Sequence, residues 1–345
     1  MKTLSRLLVI ALAVLWAGGT PPAALAQEKK TLKLAMEEIE GSLQDVWARQ
    51  FKKALAASVP EWNLEIYPYG VLGDAVDTLE QAMNGAIEFD LPCSHAGSVI
   101  PMIRLLAVPY IWSNNMEVNK KVMTSSPAIY EIMGRAYADH GLRLLAVFPE
   151  GWQYWSSNKP LRAMGDFKNF KIRIMNDPLL AVIYKNYGAN PQTVPYGEIY
   201  SALQLKQLEG NIQPLFAHQE MSFFEQQRYF TNPFEMPFIS TVAANLKWFE
   251  ALSPARKAAI QAAAREATLH TIDVSDQINA ERRKMMLEKR PELVFYELTP
   301  AEQKPFRDKA PLVEAEFVKM AGPEAGRLIK ALAAEVKALE DAEKK

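Results

Sequence analysis

The residues best equipped for chemistry lie in two short runs: Lys-Ile-Arg-Ile (171–174), and further on Glu-Gly-Asn-Ile-Gln-Pro (209–214). Arg173 closes a short apolar strand, and a guanidinium fixed there offers a planar fork of donors that matches a carboxylate bidentately. That chemistry points to capture of an organic acid rather than to its conversion. The usual enzyme signatures are missing: there is no G-x-S-x-G elbow, H-E-x-x-H pair, phosphate-binding glycine loop or G-x-G-x-x-G turn. The four histidines, 95, 140, 218 and 270, are scattered without metal-ligand spacing, and one cysteine cannot build a zinc site. Cys93 therefore reads as a small buried apolar residue. Glu37, Glu38 and Glu40 could hold a cation, but a charged run behind a strand is expected to be a solvated loop. No catalytic residue, cofactor or metal is expected.

The elements that must position Arg173 alternate between strands and helices. Thr31–Met36 reads as a strand, Leu43–Ala57 as an amphipathic helix, and Leu64–Tyr67 as a second strand. Asp74 caps a helix from Ala75 to Asn84, Gly85 ends it, and Ile87–Leu91 makes a third strand. This spacing predicts βα units and a largely parallel sheet. Past the midpoint, Leu142–Phe148, Trp152–Ser157 and Phe170–Ile174 read as strands, with helices at 181–187 and 198–205. No low-complexity linker divides the chain, so the junction near Glu150 is expected to be a strand-borne hinge. Ser253-Pro254 starts a helix that runs to Lys289 without proline or glycine, roughly 50 Å at 1.5 Å per residue. Such a helix is long enough to brace two lobes.

Residues 1–26 read as an export signal: Lys2 and Arg6, an apolar core from Leu7 to Trp16, and cleavage after Ala26 in Ala-Leu-Ala. The apolar run is too short to span a bilayer, which takes about 20 residues. This predicts a periplasmic address. The 345-residue chain has a formal net charge of −1, which excludes the basic stripe that nucleic acid demands.

Six fragments carry a family resemblance over nearly the whole exported chain. They are Tyr-Pro-Tyr-Gly-Val-Leu-Gly-Asp (67–74), Asn-Gly-Ala-Ile-Glu-Phe (84–89), Val-Pro-Tyr-Ile-Trp (108–112), Lys-Ile-Arg-Ile (171–174), Pro-Tyr-Gly-Glu-Ile-Tyr-Ser-Ala-Leu-Gln (195–204) and Glu-Gly-Asn-Ile-Gln-Pro (209–214). In this order, behind an export signal, they resemble the DctP-like solute-binding proteins of tripartite ATP-independent periplasmic (TRAP) transporters. The resemblance implies an α/β protein with the two-lobe periplasmic binding fold. Each lobe would be a mixed sheet flanked by helices, with the long helix spanning both. The expected division is 27–149 plus about 240–285 for the N-terminal lobe, and 150–239 plus about 286–345 for the C-terminal lobe. A monomer is expected, delivering an organic acid to the small and large membrane subunits of a permease driven by a sodium gradient.

The resemblance also places the site. The family's carboxylate-pairing arginine falls on Arg173, its ligand amide on Gln213 with Asn211 as the neighbouring alternative, and its ring beneath the carboxylate on Tyr196. Many relatives carry a second arginine where this chain has Gln153, so a monocarboxylate is favoured over a dicarboxylate. Trp152 offers an apolar face, although strand alternation puts Trp152 and Tyr154 opposite Gln153 and Trp155. Ser94, Asn176 and Phe216 complete the expected cleft. Two other outputs fit the same sequence: a ligand sensor for a membrane histidine kinase, or a secreted hydrolase or isomerase using scattered acids.

Overall fold

The computed structural model describes residues 30–344, so the export signal and its cleavage after Ala26 lie outside the described residues. In chain order the first elements are β1 (Lys30–Met36), α1 (Leu43–Ser58), β2 (Trp62–Tyr67), α2 (Ala75–Asn84), β3 (Phe89–Leu91), α3 (Met116–Ser125) and α4 (Gly134–Asp139). Then come β4 (Leu142–Ser157), β5 (Lys171–Ile174), α5 (Pro178–Asn186), β6 (Asn190–Thr193), α6 (Ile199–Gln204), β7 (Gly210–Pro214) and α7 (Leu215–Glu220). The last third holds β8 (Tyr229–Asn232), β9 (Pro237–Asn245), α8 (Leu246–Glu250), α9 (Pro254–Lys289), β10 (Val294–Glu297), α10 (Pro300–Arg307), α11 (Ala310–Ala321) and α12 (Pro323–Glu343).

Local chemistry sets several boundaries. The Asp74 carboxylate accepts from the backbone N–H groups of Val76 and Asp77, and Asp77 returns a bond to the Asp74 N–H. This reciprocal cap satisfies donors that the first turn would leave orphaned. Gly85 ends α2 in the left-handed region at φ 79°. At the head of α9 the Ser253 hydroxyl accepts from the Arg256 N–H, with Pro254 in the first turn.

The ten strands form one sheet in two halves. The first half is ordered β2-β1-β3-β9-β4, the second β4-β7-β5-β6, with β8 paired to β4 and β10 to β8. The expected strands 142–148 and 152–157 are a single strand. β4 pairs with β9 from Leu142 to Trp152, then with β7 from Gln153 to Ser157. Pro149-Glu-Gly looks like a break in sequence, but β9 runs alongside and absorbs it as a register shift. The sheet is mixed rather than largely parallel: βα units pair parallel, whereas β4 and β9, which join the halves, pair antiparallel.

One buried cluster runs through both halves, from Ala35, Leu79 and Val147 to Trp155, Ile172 and Leu179, and smaller clusters flank it. Trp47, Phe51, Phe89 and Phe148 pack between α1, the first half-sheet and α9, and the Trp47 indole N–H donates to Thr268 Oγ1 at 3.0 Å. Burying each such side chain contributes about 1.5–3 kcal/mol. In the second half Trp155, Phe167, Tyr184, Tyr187 and Phe306 form an aromatic cluster. Buried Glu235 accepts there from Tyr184, Tyr187 and Trp155. α9 spans both halves: Ile260, Ala264 and Ala267 pack on the first, while Met286 joins a separate cluster of the second with Tyr154, Phe224 and Phe230. α12 docks within the chain, its Glu340 and Glu335 accepting from Ser113 Oγ and the Ala128 N–H.

Candidate functional site

A cavity of about 290 Å³ opens where the two halves face each other. Its walls come from the carboxyl ends of the parallel strands, the place where open α/β sheets bind ligands. After β1 come Glu37 and Glu38, after β2 Tyr69, and after β3 His95; the other half supplies Arg173 on β5, Val194 to Tyr196 after β6, and Gln213 on β7. Gly210 sets the approach of β7. A Cβ there would lie 2.3 Å from the Ser156 carbonyl oxygen, so a side chain would push β7 off β4.

Arg173 is 3 % exposed. Its Nε donates to the Val194 carbonyl at 2.9 Å, while Nη1 is buried without a partner. Burial pushes its pKa down to about 10, against the opposing influence of Tyr196 and Tyr69, so the group stays charged at neutral pH. A buried cation without a counter-ion is costly, and an arriving carboxylate removes that cost.

The facing wall is acidic. Glu37 accepts from the Cys93 N–H at 2.8 Å and lies 3.1 Å from His95 Nδ1. Burial opposes protonation of His95, but Glu37 and Asp90 outweigh it and its pKa rises. Glu38 is 5 % exposed, and its carboxyl is raised by burial and by the neighbouring Glu150. Burial pushes Glu150 up to about 8 and Glu220 up to about 9, with Glu38 adding to the latter. Tyr196 Oη donates to Glu220 at 3.2 Å. The expected solvated loop is thus corrected: Glu40 is exposed, but Glu38 is buried beside the cavity, under α1 and the crossing strand. Among the described residues no cluster of His, Cys, Asp or Glu has a metal-binding arrangement.

Of the residues expected from sequence, Arg173, Tyr196, Gln213 and Asn176 line this cavity. Gln153 and Ser94 line a small adjoining pocket, which shares Met175 and Phe238 with it. Trp152 does not reach either space; it turns to the other face of β4 and packs edge-on against Phe234, centroids 5.2 Å apart. Phe216 is fully buried against Leu43, Ala217 and Ile278 instead of flanking the cavity. Asn211 does not line the cavity; it pairs in register with Arg173, and both its amide atoms are buried and unpaired. Cys93 is buried, its sulfur 3.1 Å from Ser240 Oγ, as a small core residue should be. Sequence reasoning missed Glu37, Glu38, Tyr69, His95 and Phe238 as wall residues. The Glu37-Glu38 pair at a strand's carboxyl end, and Tyr69 before a glycine turn, were the available signals.

Comparison with known proteins shows the family. The profile of the family described as bacterial extracellular solute-binding protein, family 7 (DctP), matches residues 34–319. The ectoine/5-hydroxyectoine-binding periplasmic protein of Ruegeria pomeroyi is 31% identical over 94% of this chain and 96% of its own. The ectoine-binding periplasmic protein of Halomonas elongata is 32% identical over 89% of this chain and 90% of its own. The solved structure of that ectoine-binding protein, from the TeaABC TRAP transporter, superposes with a TM-score of 0.87 over 90% of this chain and 100% of that one. A Desulfovibrio salexigens TRAP solute-binding protein with bound orotic acid shares the fold at 20% identity, TM-score 0.84, over 90% of this chain and 99% of that one. The chain therefore belongs to the DctP family of extracellular solute-binding proteins, the periplasmic solute receptors of TRAP transporters.

Proposed function

We propose that this receptor binds a small zwitterion carrying one carboxylate and one cationic group, of the ectoine kind, and hands it to a TRAP permease without covalent chemistry. The observation that carries the reading is the pairing of opposite charges in one cavity, Arg173 on one half and Glu37 and Glu38 on the other. Arg173 takes the carboxylate, with the Gln213 amide donating a further bond. Tyr69 and Tyr196 present faces and edges to the body of the ligand. A cationic end facing Glu38 favours its ionised form and offsets the burial that otherwise holds it neutral. Asn176 is placed for a hydroxyl or ring nitrogen, and Ser94 and Gln153 for a polar substituent entering the small pocket. Trp152 and Phe216 act through packing behind the walls. The cavity is at the small end of ligand pockets, roughly 300–1,000 Å³, which favours a compact ring over a sugar acid. The expected monocarboxylate is retained and gains a positive end.

Calorimetry with ectoine and 5-hydroxyectoine, beside monocarboxylates of similar size lacking a cation, tests this. Zwitterions should bind, Arg173→Ala should abolish the heat, and Glu38→Gln should weaken zwitterions selectively. Equal binding of a cation-free acid, unaffected by Glu37→Gln and Glu38→Gln, overturns the ligand class but leaves the receptor role standing.

A further inference from the structure

In the acidic wall of the cavity two carboxyl groups face each other. Glu38 lines the cavity, and Glu150, on β4 just before Gly151, is 0 % exposed. Glu38 accepts from the Gln44 N–H at 3.3 Å, with the Ser42 hydroxyl also beside it. Neither Glu150 oxygen has an N–H or O–H donor in bonding geometry. The carboxyl within its reach is that of Glu38. The Ser240 hydroxyl on its other side accepts from Gln44 Nε2 at 2.8 Å and lies 3.1 Å from Cys93 Sγ. Two carboxylates repel; two carboxyls bond only when a proton lies between them.

The surroundings of the pair are mostly acidic. Glu37 is held by the Cys93 N–H and by His95, which Asp90 on β3 also acts upon. Glu220 on α7 accepts from Tyr196. The nearest named cations are Arg282 on α9, whose Nη1 donates to Gln219 and which acts on Glu220, and Arg173 across the cavity. Buried charge without a partner is costly. Burial and the neighbouring acids therefore keep both carboxyls protonated in the ligand-free receptor, Glu150 raised to about 8 and Glu38 well above its usual range.

We propose that Glu150 is a positioning residue that sets the charge of Glu38, and that binding a zwitterion expels one proton from this pair. The inference rests on the zwitterion reading above and adds the fate of the proton. The cationic end of the ligand takes the proton's place on Glu38. The Glu38 O–H bond breaks, the proton leaves to solvent through the cavity, and Glu150 keeps its own proton and donates it to the new carboxylate. A cation-free acid that reaches Arg173 leaves the pair neutral and expels nothing. Because the bound state holds one proton fewer, affinity for the zwitterion rises with pH, by up to about tenfold per unit, and levels off once the free receptor loses the same proton. Acidification loosens the ligand.

Calorimetry of ectoine binding at pH 7, repeated in phosphate and in Tris, whose heats of ionisation differ, counts the protons released. The count should be close to one, and affinity should rise severalfold from pH 6 to 7. Glu38→Gln should bring the count to near zero. Glu150→Gln leaves a neutral amide that donates to an ionised Glu38, so it should lower the count and bind ectoine more tightly at pH 6 than the unsubstituted protein does. Glu220→Gln and His95→Gln should leave the count unchanged. In the ligand-free protein, infrared titration from pH 6 to 9.5 should show the C=O band of protonated carboxyls disappearing, by less in Glu38→Gln and Glu150→Gln. Absence of that band, a pH-independent affinity without proton release, or a count that follows Glu220 or His95 overturns the proposal. The calorimetric count and the band on the unsubstituted protein decide it even where a variant does not fold. Failure of ectoine to bind sinks the zwitterion reading and the expulsion with it, whereas binding without proton release sinks the expulsion alone.

Discussion

Tyr69 and Tyr196 meet edge to face, ring centroids 5.8 Å apart and planes at 87°, one from each half of the molecule. The Gly197 N–H donates to Tyr69 Oη at 3.4 Å beside them. Both rings line the cavity, so the pair joins its two walls. An aromatic pair of this kind contributes about 0.5–1.5 kcal/mol beyond its buried area. Tyr69→Ala should therefore raise the dissociation constant about twofold to tenfold, with the change in the off-rate. Stopped-flow fluorescence reads it; Tyr69→Phe, which keeps the ring, should change little. A purely on-rate effect would contradict a role in joining the walls.

Arg173 makes opposite demands on binding and on stability. A charge-assisted contact contributes about 1.5–3 kcal/mol, so Arg173→Met should cost roughly tenfold to a hundredfold in affinity at least. The same replacement removes a buried cation whose Nη1 has no partner and fills its place with an apolar stem. The ligand-free variant should thus be as stable as the unsubstituted protein or more so in urea denaturation. Retained affinity, or a ligand-free protein markedly destabilised, would mean that the guanidinium serves the fold instead.

What the sequence made legible follows the reach of each physical signal. The Asp74 cap, the Gly85 stop and the Ser253-Pro254 start act within a few residues, and α2 and α9 appear where those residues put them. The unity of β4 was not legible, because the pairing that carries Pro149 through the strand comes from β9, far away in sequence. Arg173 and Gln213 were legible through their motifs. Trp152 was not, since strand alternation separates two faces without saying which one meets the cleft. Glu38 was misjudged for a related reason: the chain beside it is polar, and the burial comes from α1 and Glu150.

The buried carboxyls predict a pH dependence with a definite sign. An unfolded glutamate titrates near 4.3, whereas burial pushes Glu150 up to about 8. Between these values the folded state binds more protons, so the free energy of unfolding falls as pH rises. The contribution of neutral Glu150 is intact below the unfolded value and is lost once pH has risen through about 8. Glu220, pushed to about 9, acts in the same direction. Each such group gives a slope on the order of 1 kcal/mol per pH unit inside its window. Burial pushes His218 down to about 4, so between about 4 and the unfolded histidine value near 6.5 it acts in the opposite direction, and the test starts above that range. Melting temperatures from about pH 7 to 8.5 should fall for the unsubstituted protein and fall less steeply for Glu150→Gln. Parallel curves would place the titration elsewhere.

The strand that carries Glu150 crosses between the halves at Gly151, and that crossing is where backbone freedom is needed. Gly151 sits at φ 125°, beyond what a side chain tolerates, at the register shift between β4 and β9. A Cβ there would also lie 2.8 Å from Asn279 Nδ2. Asn279, on α9, is no passive neighbour: its Nδ2 donates to the Glu150 carbonyl at 2.8 Å and its Oδ1 accepts the Phe216 N–H at 3.2 Å. One amide thus pins the crossing strand, the brace helix and the head of α7 together. Gly151→Ala should destabilise by about 1–3 kcal/mol from backbone strain, and more from displacing Asn279. Asn279→Ala relieves only the second part, so the double variant should cost less than the sum of the singles. Gly134→Ala is the control: at a helical φ with nothing within 4 Å, it should be neutral or stabilise by about 0.4–1 kcal/mol. Urea denaturation of the four variants decides it. If Gly151→Ala matched Gly134→Ala, the crossing would not be held at that angle, and the halves would have to move about some other point.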